Sequence, residues 1–197
     1  QAFFGRLNLG WNNNRYLLTV NYRRDGSSRF SKDNRWGNFG GAAFAWKMHE
    51  DLFRDNSTIN ELKLRLSVGA VGQQDIGGYK IDYFKQYDVS TNAYYQFGTG
   101  ANTYYLIARP KGYNQNLTWE SSTKYNAGLD FSLFSRRLSG NVDVYLADTK
   151  DLLSIVAEGA LQNLRVLGPK NIGSLQSKGL DFNLNYQMFK KENFTLD

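Results

Sequence analysis

The carboxylates Asp130 and Asp143 fall on the same side of two neighbouring segments joined by one short turn, Ser135–Arg137. Two carboxyl groups brought close in that way are the arrangement of an acid/base pair. The duller reading is that they are charged groups on the wet side of a sheet, and the rest of the chain favours it. There is one histidine, His49, in a short connection, where it reads as an ordinary surface residue, since catalytic or metal use requires partners. Cysteine is absent, which removes thiol nucleophiles, thiolate metal ligands and disulfides. No glycine-rich phosphate loop follows a strand and opens a helix. These residues predict a protein that is not an enzyme, with no catalytic residues, no metal and no cofactor.

The richest chemistry is aromatic. The stretch Gln73–Thr123 carries Tyr79, Tyr83, Tyr87, Tyr94, Tyr95, Tyr104 and Tyr105, together with Phe84 and Phe97, among amide and hydroxyl neighbours. Flat rings with a polar handle suit sugar C–H faces or peptide side chains. Loops of this length are frequently functional. The competing reading is that the rings pack the loop against itself or a neighbouring subunit.

What must position these residues is a set of strands. Period-two alternation dominates, and strands are predicted at Phe3–Trp11, Tyr16–Arg23, Asn38–Trp46, Leu62–Ala70, Lys124–Leu133, Leu138–Ala147 and Gly179–Met188, with an eighth beginning at Phe194. Only Met48–Asn60 could hold a turn of helix. In LKLRLSVGA, Leu62 to Ala70, every second residue is apolar, while Lys63, Arg65, Ser67 and Gly69 occupy the other face. The apolar faces of five of these strands carry no charge, although 21% of the chain is charged. The opposite faces hold Arg23, Lys63, Arg65, Lys124, Asp130, Asp143 and Asp181.

Such a split fits a soluble sandwich or a membrane barrel with a wet interior. Three features favour the barrel. The strands match the ~9–11 residues needed to cross a bilayer at a tilt. Connections alternate between short (Asn12–Asn14, Ser135–Arg137, Phe189–Asn193) and long (Arg24–Arg35, Gln73–Thr123, Asp148–Lys178). Aromatic residues collect at strand ends, with Trp11, Trp46, Phe134 and Phe189 by short connections and Tyr22, Trp36 and Trp119 by long ones. The net charge of +6 is scattered among acidic residues, without the basic stripe that nucleic acid requires. Both termini interrupt an alternating pattern, so the chain is expected to be part of something longer.

Several segments then resemble one family. FFGRLNLGWNNNRYLLTVNYRRDGSSRFSKDNRWGNFGGAAFAW, INELKLRLSVGAVGQQDIGGY (Ile59–Tyr79), NLTWESSTKYNAGLDFSLFSRRLSGNVDVYLADTKDLL (Asn116–Leu153) and NIGSLQSKGLDFNLNY (Asn171–Tyr186) are similar, in order, to the barrel of SusC/RagA-type TonB-dependent transporters of Bacteroidetes. Departures are Gln74, where Asn is commoner, and Ser177 and Asp181, where Asn and Glu are commoner.

The resemblance implies an all-β fold: an antiparallel transmembrane β-barrel, of which residues 1–197 supply about eight consecutive strands of a roughly 22-stranded plugged structure. It implies TonB-dependent import of oligosaccharides or peptides across a Gram-negative outer membrane, contact with membrane lipid, a SusD-like surface lipoprotein as lid, and TonB engaged through a plug segment outside these residues. It also makes Asp130 and Asp143 candidates for pairing with basic groups of that plug, and the tyrosines candidates for contact with substrate or lid. The alternatives are a small stand-alone barrel acting as anchor or adhesin, and a soluble lectin-like sandwich.

Overall fold

In a computed structural model the described residues are 1–75, 87–96, 104–110, 113–156, 168–191 and 194–196. They form β1 (Ala2–Trp11), β2 (Tyr16–Gly26), β3 (Trp36–Lys47), the single helical turn α1 (His49–Leu52), β4 (Ile59–Gln73), β5 (Tyr87–Gln96), β6 (Tyr104–Pro110), β7 (Glu120–Leu133), β8 (Leu138–Lys150), β9 (Leu153–Val156), β10 (Gly168–Asn171), β11 (Ser174–Tyr186), β12 (Phe189–Lys191) and β13 (Phe194–Leu196). The main body is an antiparallel 7-stranded sheet in the order β1-β2-β3-β4-β7-β8-β11. Neighbours in the sheet are successive long strands of the chain, the up-and-down arrangement of a barrel wall.

The expected strands are present but longer, from 10 residues in β1 to 15 in β4. Three expectations about connections are corrected. The Gln73–Thr123 connection contains a hairpin, β5–β6, and the Asp148–Lys178 connection contains another, β9–β10. The strand expected from Phe194 is present as β13, paired with β12 in a small hairpin. Alternation around these segments is too short or irregular to signal a strand against the aromatic-rich background. Phe189–Asn193, expected as a turn, begins with β12.

The short turns are made by backbone conformation. Asn12, Asn13 and Asn14 all have positive φ, as do Phe134, Ser135 and Arg136, and each turn closes with a hydrogen bond of 3.2 Å, from the Arg15 amide to the Asn12 carbonyl and from the Arg137 amide to the Phe134 carbonyl. Left-handed backbone reverses the chain with a twist that matches the flanking strands. Asn tolerates that conformation better than other side chains, so the first turn fits its sequence and the second is strained.

Register makes the apolar faces one surface. Leu9, Leu18, Phe44, Leu66, Ala127, Val144 and Leu180 lie side by side across all seven strands of the sheet. Many of these side chains have nothing over them; Val144 is 53% exposed and Leu180 66%. Among the described residues the buried apolar core consists of Phe30, Phe39, Leu117 and Trp119 alone. A sheet in water would bury such a face, so the surface is built for an apolar surrounding. The sheet is also open: β1 and β11 are its two ends. An eight-stranded closed barrel is therefore not formed by these residues, and a sandwich would need a second sheet over the apolar face.

Candidate functional site

The polar face is organised around Arg65, on β4. Its register partner on β7 is Gly128, and the partner of Gly128 on β8 is Asp143. With no side chain at Gly128, the guanidinium crosses the strand: Nη2 donates to Asp143 Oδ2 at 2.9 Å. Nε and Nη2 also donate to Asp130, at 2.9 Å to Oδ2 and 2.7 Å to Oδ1. Asn141 Nδ2 adds a 2.7 Å hydrogen bond to Asp143 Oδ2. A methyl group at 128 would overlap the Asp143 carboxylate and the Arg65 guanidinium. Both carboxylates that resembled an acid/base pair thus serve one cation inside the wall.

The other expected residues of this face separate. Arg23 Nε donates to its own strand neighbour Asp25, at 2.7 Å to Oδ2. Lys124 lies over the Tyr145 ring, 4.8 Å from its centroid. Lys63 stands between Lys47 and Asp130 in register, but Asp130 gives its oxygens to Arg65. Asp181 stands directly opposite Asp143.

At the short-turn end, the apolar face finishes in stacked rings. Tyr16 lies 5.6 Å from Trp11 and 6.1 Å from Trp46, centroid to centroid. Asp51, on α1, ties this cluster down by accepting hydrogen bonds of 2.8 Å from the Trp46 indole N–H, the Tyr16 hydroxyl and Arg15 Nη1. The indole hydrogen bond first, then the phenol and the guanidinium, hold the Asp51 carboxyl below its ordinary value of 3.8. His49 opens α1 and is half-buried. Among the described residues no group of His, Cys, Asp and Glu side chains could hold a metal ion.

At the long-connection end, Trp36 is where an interface aromatic was expected. It stacks on Phe3 at 6.2 Å, with Arg24 over its ring at 5.0 Å. Trp119 is not such a residue. It precedes β7, packs on Phe30 at 5.2 Å and Phe39 at 5.4 Å, and donates its indole N–H to the Arg35 carbonyl. With Leu117 these rings weld the connection 27–35 to the approach to β7. Asn171 adds a third connection, exchanging hydrogen bonds of 2.9 Å with the Thr118 backbone. Phe39 gave a legible sign: it is a large ring at a position whose alternation is polar.

Of the tyrosines, Tyr79 and Tyr83 lie outside the described residues. Tyr87 opens β5 and is exposed. Tyr95 and Tyr105 are register partners across the β5–β6 hairpin, while Tyr94 pairs with Leu106 and Tyr104 with Gln96.

A family model described as TonB dependent receptor-like, beta-barrel, matches residues 1–197. The chain is 45% identical over its whole length to the TonB-dependent receptor SusC of Bacteroides thetaiotaomicron, covering 19% of that protein. It is 36% identical to the TonB-dependent receptor P26 of Formosa agariphila, over 98% of this chain and 19% of that one. Among solved structures, the RagAB peptide importer in its closed-closed state superposes with a TM-score of 0.81 at 25% identity, covering 98% of this chain and 20% of that one. The chain thus spans about a fifth of the length of these relatives.

Proposed function

Because the chain belongs to the TonB-dependent receptor β-barrel family, we propose that it is a stretch of barrel wall in an outer-membrane nutrient importer of the SusC/RagA type, residues 1–197 all belonging to the barrel domain. The observation that carries the reading is the continuous apolar face, in register over the whole sheet and uncovered, backed by a charged and amide-rich face. Apolar side chains meet lipid, and the polar face lines a wet interior in which Arg23, Lys63, Arg65, Lys124, Asp130, Asp143 and Asp181 look toward the plug. The long connections face the outside, where the tyrosine-bearing hairpin meets substrate or a SusD-like lipoprotein. The cargo is an oligosaccharide or peptide too large for diffusion through a porin, moved with energy delivered by TonB.

The test uses the full-length gene in its host. Deletion abolishes growth on one class of glycan or peptide, complementation restores it, and removal of TonB reproduces the loss. Purification of the tagged protein in mild detergent brings a surface lipoprotein with it. Growth unaffected on every such nutrient sinks the import reading.

A further inference from the structure

Two recesses on the polar face meet at Asn21. One, of about 690 Å³, includes Phe4, Arg6, Arg23, Phe39 and Val71; the other, of about 470 Å³, includes Thr19, Gly41, Ser67, Gly69 and Lys124. Register joins them, because Arg6, Asn21, Gly41, Gly69 and Lys124 are successive partners from β1 across to β7. Four inter-strand steps of ~4.8 Å make a trough roughly 19 Å long.

Its floor is kept low by the two glycines in the row. A methyl group built at Gly69 meets no atom within 4 Å, so this part of the trough is open above the backbone. Beside the floor stand the amides of Asn21 and Asn126 and the hydroxyl of Ser67. Along one side of the larger recess stand apolar side chains, Phe4 on β1 at 85% exposed and Val71 on β4 at 66%, with the buried Phe39 ring between those strands on β3. The charge is one-sided. Asp25, Asp130 and Asp143 are bound to Arg23 and Arg65, whereas Arg6 and Lys124 have no carboxylate partner among the described residues.

We infer that this trough binds an acidic oligosaccharide, with uronate carboxylates at Arg6 and Lys124, sugar hydroxyls on Asn21, Ser67 and Asn126, and one sugar face against Phe4. Cations pair with carboxylates, amides and hydroxyls match sugar hydroxyls, and a ring presents an apolar face to C–H groups. The assignment rests on the import reading and narrows its cargo. A peptide fits less well, because its side chains need repeated apolar pockets and the smaller recess presents amides, hydroxyls and cations.

The probe is tetragalacturonate, with its carboxyl-reduced neutral counterpart and an acidic tetrapeptide as comparisons, titrated calorimetrically into the purified full-length protein. The acidic sugar binds most tightly. The double variant Arg6→Gln, Lys124→Gln weakens it at least about a hundredfold, about tenfold for each charge-assisted hydrogen bond lost, and leaves the neutral sugar unchanged. Gly69→Trp, which fills the trough from an open position, abolishes binding of both sugars. Equal affinity for the acidic and neutral sugars, tighter binding of the peptide, or variants that bind like the wild type each overturn the proposal. So does a rise in single-channel conductance of the double variant without loss of affinity, which gives the trough to the plug. A transporter that binds the sugar but supports no uptake separates failure of the import reading from failure of the site.

Discussion

Arg65 reaches Asp143 by passing over Gly128, the residue that separates them in register. The contact exists because a glycine occupies the middle strand. Gly128→Val puts methyl groups where the guanidinium and the carboxylate stand, so Arg65 must swing out and Asp143 loses its cation. The Arg65 side chain is 34% exposed, which screens the pair, so a loss of about 1–2 kcal/mol is expected. The urea midpoint of the full-length barrel in detergent checks it, with Arg65→Met as the companion variant. If Gly128→Val costs nothing, the clasp contributes nothing.

Two turns with the same backbone differ in how well their sequences suit it. Ser135, with φ of 56°, sits between Phe134 and Arg136, both also left-handed. Ser135→Gly relieves a conformation that an L side chain rarely adopts and raises stability by about 1 kcal/mol. Asn13→Val, a β-branched residue at φ of 56°, lowers it by a similar amount or more. Unfolding midpoints of the two variants should move in opposite directions.

The loop cluster is expected to unfold apart from the wall. Phe30 is fully buried against Trp119, and Phe→Ala or Trp→Ala in such a setting costs about 3–5 kcal/mol. Since the wall strands hold one another by their own ladders, Phe30→Ala should expose residues 27–35 and 113–119 to protease. The heat-dependent gel shift of the barrel should persist. Loss of both together shows that wall and loops form one cooperative unit.

The strands and the sidedness of each one were legible because lipid on one face and water on the other impose period two along the chain. The connections were not, and the reasons are particular. Trp119 shares odd numbering with Tyr125 and Leu129, which points it at lipid, but β7 begins only at Glu120 and the chain before it turns into the loop cluster. The Arg65 clasp depends on the register of three strands at once, which no single strand encodes. Lys63 and Asp130 are register partners, yet the fork of Arg65 makes more hydrogen bonds and takes the carboxylate.

Asp51 makes stability depend on pH at the short-turn end. Its folded carboxyl titrates below its ordinary value, with the Trp46 indole as the first cause. A depressed carboxyl contributes stability that is fully present above the unfolded value and is lost as pH falls through the folded one. The wild-type melting temperature should therefore decline on acidification below the ordinary carboxylate range, and Asp51→Asn should flatten that decline. An identical slope in the two proteins removes Asp51 from the account.

The sidedness of the wall can be tested at adjacent residues of one strand. Leu66 and Ser67 are neighbours on β4, Leu66 in the uncovered apolar row beside Phe44 and Ala127, and Ser67 in the polar row between Ala43 and Asn126. An arginine at the first position must be carried into hydrocarbon, which costs about 2–4 kcal/mol near the bilayer midplane. At the second it projects into the wet interior, where Arg65 already stands two residues away. Leu66→Arg should lower the folded fraction recovered in lipid vesicles, while Ser67→Arg folds like the wild type. The two substitutions introduce the same side chain one residue apart on one strand, so the contrast reports the face on which it lands. The reverse result assigns lipid to the other face, and equal losses remove the case for either face lying against hydrocarbon.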